Sequence, residues 1–151
     1  MNLKIAAVTI VSLAVLGASI SALRAQAGSR TNWDGVYTEE QAKRGEALYT
    51  DNCASCHGKQ LEGDGESAPL AGGAKPLWPY DGKPLTALFD RIYKDMPPAD
   101  PGSMTADQSA DLLAYILAFN KFPAGQTELP HDAAALNQIH YQSTNPKDSK
   151  K

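Results

Sequence analysis

Cys53-Ala54-Ser55-Cys56-His57 is the stretch of this chain whose residue types and spacing could do chemistry. Two thiols two residues apart, followed directly by histidine, have the spacing of a covalent haem attachment site. The thiols add across the two vinyl groups of the ring, and the intervening pair sets the reach between the thioethers. The imidazole then falls under the iron, for which its neutral nitrogen is a good ligand. Other readings compete for the same residues. A thioredoxin-like redox pair expects a strand–helix unit, and the surrounding sequence has none. Structural zinc needs four ligands, but the chain has two cysteines, and His131 and His140 lie far away without a second ligand pair. A chance match to five residues is the third alternative.

If His57 takes one face of the iron, the other face decides function. A thioether closes the site and favours electron transfer, whereas an open face admits small molecules. Apart from Met1, the methionines are Met96 and Met104. Met96 ends an amphipathic segment and precedes Pro97-Pro98, a rigid stretch able to press one side chain onto a metal while holding off water. Met104 precedes a helix-capping threonine, where an apolar residue often packs back on its own helix. Met96 is the favoured ligand and Met104 the alternative, with a histidine or no protein ligand behind them. His131 and His140 read as solvated surface residues.

The first 27 residues read as a secretory signal peptide. Lys4 gives a positive start, residues 5–20 are apolar, and Ala25-Gln26-Ala27 offers a small-x-small cleavage site before Gly28. A retained anchor is the alternative, but the apolar stretch is short for a span and is diluted by Thr9, Ser12, Gly17 and Ser19. Cleavage removes Lys4 and Arg24 and no acid, taking the formal charge from −3 to −5. Such acidity argues against nucleic acid as a partner. Export also suits the cysteines, since both thiols are consumed by haem outside the cytosol. The expected organisation is signal peptide 1–27, one haem-binding domain 28–130, and a tail 131–151 that is partly disordered, with Leu136 and Ile139 tucked onto the body and disorder from 143 onward.

Helices must position the motif. Residues 28–37 show no period and read as an extended leader. Thr38 is an N-cap with Gln41 completing a capping box, and Glu39 and Glu40 sit at the positive end of the helix dipole. This helix should run to about Tyr49, with Ala42, Gly45, Leu48 and Tyr49 on one face. Gly45 inside it costs about 1 kcal/mol against alanine, which points to close approach by a second helix. Residues 58–84 are rich in Gly and Pro. A loop that long is unusual in a compact domain unless it wraps something, and haem faces would serve, with Leu61, Leu70, Leu77 and Trp78 as apolar contacts. Trp78 reads equally as ordinary packing or as a neighbour of the haem propionates. Leu85, Leu88, Phe89 and Ile92 recur at helical spacing before Pro97 ends the helix. Thr105 with Gln108 repeats the capping box and opens a last helix to Phe119 or Asn120, striped by Leu112, Tyr115, Ile116 and Phe119 and widened by Leu113 and Leu117.

Across about residues 38–129 the chain resembles the class I, monohaem c-type cytochromes. Arg44-Gly45, Leu48-Tyr49 and the Cys53–His57 motif are similar to that family's first helix and attachment site, and Met96-Pro97 to its distal ligand motif. The segment Glu66-Ser67-Ala68-Pro69-Leu70-Ala71-Gly72 is similar to the one whose proline carbonyl, here Pro69, accepts a hydrogen bond from the proximal imidazole. Gly45 would then meet the last helix near Tyr115. Met96-Pro97-Pro98, Pro101-Gly102-Ser103, Ala114-Tyr115-Ile116-Leu117, Asn120 and Phe122-Pro123-Ala124-Gly125 resemble, more narrowly, cytochrome domains linked to periplasmic quinoprotein dehydrogenases. The resemblance implies an all-α cytochrome c fold, three to four core helices around one covalent haem c, with His57 and Met96 on the iron. It implies a periplasmic electron carrier rather than an enzyme. A dehydrogenase would be its donor and a terminal oxidase or another cytochrome its acceptor, and processing would leave no membrane span. A subunit permanently docked to a dehydrogenase or sulfur-oxidising enzyme is the alternative, and a haem sensor or enzyme with a labile distal ligand is a further one.

Overall fold

The computed structural model describes residues 30–73 and 77–148, so the expected signal peptide lies outside the described residues. In chain order the elements are β1 (Arg30–Thr31), α1 (Glu39–Asn52), α2 (Ala54–His57), α3 (Leu85–Asp95), α4 (Ala106–Phe119), α5 (Ala133–Leu136) and β2 (Ile139–His140), with a 3-10 turn at Trp78–Tyr80 ahead of α3. The class is all-α. Among the described residues the strands are one short parallel pair, Arg30 opposite Ile139 and Thr31 opposite His140.

α1 starts where its cap predicts. The Thr38 hydroxyl accepts from the Gln41 N–H at 3.1 Å, and two glutamates occupy the first turn. Only half of the expected capping box forms, however. The Gln41 side chain turns inward, donates from Nε2 to the Leu129 carbonyl at 3.0 Å and accepts from the Leu129 N–H at 2.7 Å. A buried amide must satisfy both its donor and its acceptor, and the Leu129 backbone offers both partners at once. Around Thr105 and Gln108 the full box is present. α1 also runs on to Asn52, where the Cys53 N–H donates to Tyr49 O at 2.9 Å, so the attachment motif begins at the helix end.

The core is the crossing of α1 and α4. A Cβ on Gly45 would fall far inside contact of the Asp111 carbonyl and 2.9 Å from Tyr115 Cβ, so the helices meet where only glycine fits. Next along, the Tyr49 and Tyr115 rings lie 5.2 Å apart. Across the crossing Arg44 donates to both oxygens of Asp111 at 2.9 Å, and also to Glu128 at 2.9 Å. α3 buries Leu85, Leu88, Phe89 and Ile92, the residues its period selects, and packs on α4.

The tail buries Leu136 and Ile139, the two residues expected to tuck onto the body, and also Tyr141 and Ser143, so the disorder expected from 143 onward does not begin at that residue; Tyr141 sets its ring against Phe122 at 5.6 Å. His140, expected on the solvated surface, is half-buried in β2. The leader buries Val36 and Tyr37, with the Tyr37 hydroxyl donating to Phe122 O at 2.5 Å. The physical reason is that these segments are held by backbone pairing with each other and with residues 81–84. Such pairing leaves no period in the sequence.

Candidate haem-binding cleft

A cleft of about 410 Å³ opens beside α2 and is lined by Cys53, Cys56, His57, Pro69, Met96 and Met104. Its other walls are mostly apolar: Leu70 from the long loop, Leu77 from the 3-10 turn, Leu88 and Ile92 from α3, Leu112 and Ile116 from α4. That volume and lining, apolar with a few convergent polar groups, are those of a small-molecule or cofactor site.

α2 is a single turn that presents the motif. Cys56 and His57 N–H groups both donate to Cys53 O, at 3.1 and 2.9 Å. Gly58 ends the turn at φ +77, a conformation that favours glycine, and its carbonyl accepts from the Tyr49 hydroxyl at 2.6 Å. The His57 carbonyl accepts from Gly63 N at 2.8 Å. The ring is oriented too, since His57 Nδ1 lies 2.8 Å from Ala68 O. A carbonyl only accepts, so Nδ1 carries the proton and Nε2 is the bare nitrogen left for a metal. The accepting carbonyl is that of Ala68, one residue before the expected Pro69. Loop register explains the difference. Leu70 and Ala71 N–H groups both donate to Leu61 O, at 2.8 and 3.1 Å, and Ser67 N–H donates to Asp64 Oδ1 at 2.6 Å, which pegs the turn with the Ala68 carbonyl toward His57. Pro69 lines the cleft instead.

The rival chemistries fare poorly on the same geometry. Burial, with the neighbouring Cys56 second, pushes the Cys53 thiol up to about 11, whereas a redox C-x-x-C pair works through a lowered thiol pKa. Among the described residues no three His, Cys, Asp or Glu side chains gather to hold a metal ion, so a zinc cage lacks its ligand set.

Met96 caps the C-terminus of α3 in extended backbone and is half-buried, while Met104 is buried ahead of the Thr105 cap. Both reach the cleft. Trp78 does not line it and is 69% exposed, which corrects the expectation that it packs there. In a 3-10 turn residues three apart share a side, so Leu77 and Tyr80 face the cleft and Trp78 is carried elsewhere. Leu61 is fully buried beneath the loop rather than in the cleft wall. Three contributors had no sequence signal for their roles. Asn120 Nδ2 donates to Leu70 O at 2.8 Å and fixes that wall, the Tyr49 hydroxyl anchors Gly58, and Arg91 lines the cleft. Their partners lie nine and fifty positions away or in space alone, beyond any local pattern.

Comparison with known proteins gives the same architecture. Residues 40–116 match the family described as cytochrome C oxidase, cbb3-type, subunit III. The chain is 30% identical over 116 residues to cytochrome c-551 of Bacillus subtilis (strain 168), covering 73% of this chain and 96% of that protein. Its fold is similar to a chain in the crystal structure of the sulfane dehydrogenase SoxCD from Paracoccus pantotrophus, with TM-score 0.53 and 24% identity, over 79% of this chain and 64% of that one.

Proposed function

The chain belongs to the c-type cytochromes, and from that premise we propose that it is an exported one-electron carrier in which Cys53 and Cys56 hold haem c while His57 and Met96 ligate its iron. The observation that carries this reading is that the attachment motif and Met96 both open onto the same apolar cleft. Haem c would supply an iron couple that gains and loses one electron. The residues do the rest. Cys53 and Cys56 bind, and the Ala68 carbonyl, by accepting from His57 Nδ1, keeps Nε2 bare and raises its basicity as a ligand. The thioether of Met96 would be the second protein group to hold the iron, keeping off water and small ligands, and would favour the reduced state relative to harder donors. Leu70, Leu77, Leu88, Ile92, Leu112 and Ile116 keep the surroundings dry, which tunes the potential further.

No substrate bond is made or broken here. The partners are other redox proteins, a periplasmic dehydrogenase as donor and a terminal oxidase or second cytochrome as acceptor. The signal-peptide pattern of residues 1–27 supports export. A subunit docked on a dehydrogenase is the second reading, prompted by the fold likeness to a chain in a sulfane dehydrogenase structure. Mass and co-purification from the native source separate the two. Attachment is tested by acid-acetone extraction. The protein should keep its chromophore, and the double variant Cys53→Ala, Cys56→Ala should release it. A native protein that carries zinc and no haem would refute the proposal.

A further inference from the structure

The wall of the cleft that ends in Met96 is held by residues 137–143 of the tail, which residues 32 and 33 of the leader hold in turn. That wall is continuous in sequence: Leu77, Pro79 and Tyr80 line the cleft, residues 81–84 turn, and α3 brings Leu88, Arg91 and Ile92 to the cleft before its C-cap, Met96. The turn 81–84 is where the tail grips. Gly82 N–H donates to Tyr141 O at 2.8 Å, Tyr141 N–H donates to Lys83 O at 2.8 Å, and Pro84 bridges to His140 in antiparallel sense. Ser143 N–H donates to Asp81 Oδ1 at 2.7 Å, and Thr86 Oγ1 donates to Asn137 Oδ1 at 2.7 Å where α5 meets α3. The leader locks the tail in turn. Asn32 accepts from Gln142 N–H at 2.6 Å and donates to Gln142 O at 3.2 Å, while Trp33 Nε1 donates to that same carbonyl at 2.8 Å. Tyr141, fully buried, anchors the clasp in the core.

We propose that this clasp of leader and tail is a positioning element for the distal iron ligand, holding Met96 against the haem so that the site stays closed. The inference rests on the His57/Met96 reading above. With the tail in place, the turn 81–84 is tied on both its donors and its acceptors, and α3 is braced at its N-terminal end. Without it, Gly82 N–H, Lys83 O and Asp81 exchange their partners for water. The turn then keeps its local bonds, Tyr80 N–H to Leu77 O and Lys83 N–H to Tyr80 O at 2.9 Å, and Asp81 N–H to Trp78 O and Ala87 N–H to Pro84 O at 3.0 Å. Local opening of the wall would withdraw Met96 from the position in which it would hold the iron, and a competing ligand would report the open fraction. The leader and the tail lie outside the matched family segment, 40–116, whereas the turn they grip lies inside it.

The experiment uses the haem-loaded protein and two variants: a chain truncated after Gln138, and the double variant Asn32→Ala, Asp81→Ala. Each is read by the far-red sulfur–iron band of the ferric state and by carbon monoxide affinity of the ferrous state at neutral pH. The truncated protein should keep covalent haem but lose the band and bind carbon monoxide at least about tenfold more tightly, equivalent to about 1.4 kcal/mol in the opening equilibrium. The double variant should shift in the same direction by less. Thr38→Ala, which weakens the fold at the α1 cap away from this wall, should leave both signals unchanged. That control separates positioning from general stability. Wild-type band and carbon monoxide exclusion in the folded truncated protein would overturn the inference. If that chain does not fold, the double variant decides in its place, and wild-type behaviour there overturns it equally. A wild-type protein without the band refutes the ligand assignment itself, whereas a normal wild type with unaffected variants refutes the clasp alone.

Discussion

Gly45→Ala should destabilise this protein, although alanine is the better helix former by about 1 kcal/mol. At an exposed helical position the substitution would gain that amount. Here the new methyl falls far inside contact of the Asp111 carbonyl and 2.9 Å from Tyr115 Cβ. A flexible side chain could swing away from such a contact, but a carbonyl in the middle of α4 moves only with its helix. Overpacking that forces backbone shifts costs about 1–3 kcal/mol, occasionally more, and a backbone clash belongs at the upper end. After the propensity gain the net loss is about 2 kcal/mol. Urea denaturation of the haem-loaded protein, followed by far-ultraviolet circular dichroism, measures it as a lower midpoint at unchanged slope. Ala47→Gly on the exposed face of the same helix is the control and should lose about 1 kcal/mol by propensity alone. Because α4 also carries Leu112 and Ile116 of the cleft, Gly45→Ala should perturb the haem spectrum as well, which Ala47→Gly should not. A Gly45→Ala protein as stable as wild type, or more so, would refute the reasoning about the crossing.

Asp111→Ala should cost about 1.5 kcal/mol, the lower end for a hydrogen bond to a charged group, because Arg44 stays half-exposed and water takes over its released N–H groups. Burial raises Tyr49 and Tyr141 above their usual pKa of 10.0. The unfolded chain therefore ionises first as pH rises, so their contribution to stability is complete below about pH 10 and is lost on going up through the folded pKa. Spectrophotometric titration should show these phenols ionising only together with alkaline unfolding. Met104→Leu should leave the haem spectrum unchanged and cost less than about 1.5 kcal/mol as a near volume-conserving swap. Intact mass of secreted material should correspond to residues 28–151 plus one haem, and an uncleaved N-terminus in the membrane fraction would favour an anchor.

Much of this site could be read from the sequence because local rules govern its parts. The attachment motif is five contiguous residues, the Leu85–Ile92 stripe obeys the helical period, and an interior glycine at 45 announces a close crossing. What escaped was decided by partners distant in sequence. Gln41 satisfies a capping pattern on paper, yet its buried amide finds a better pair of partners in Leu129, 88 positions on. The choice of Ala68 over Pro69 as acceptor depends on how Leu61 and Asp64 peg a loop that has no period. The tail reads as weak because it fits neither a helix nor a long strand; Leu136 and Ile139 are legible as apolar anchors, whereas the burial of Tyr141 and Ser143 comes from the leader and the turn at 81–84.

Whether His57 and Met96 together hold the iron is tested most directly by the ferric spectrum. Wild type should show the weak far-red band of sulfur–iron charge transfer, and Met96→His should abolish it and lower the reduction potential, since imidazole is the stronger donor to ferric iron. A band that survives loss of Met96 and vanishes in Met104→Leu would transfer the ligand role to Met104. Wild-type protein that lacks the band and binds carbon monoxide readily at neutral pH would contradict the carrier assignment altogether.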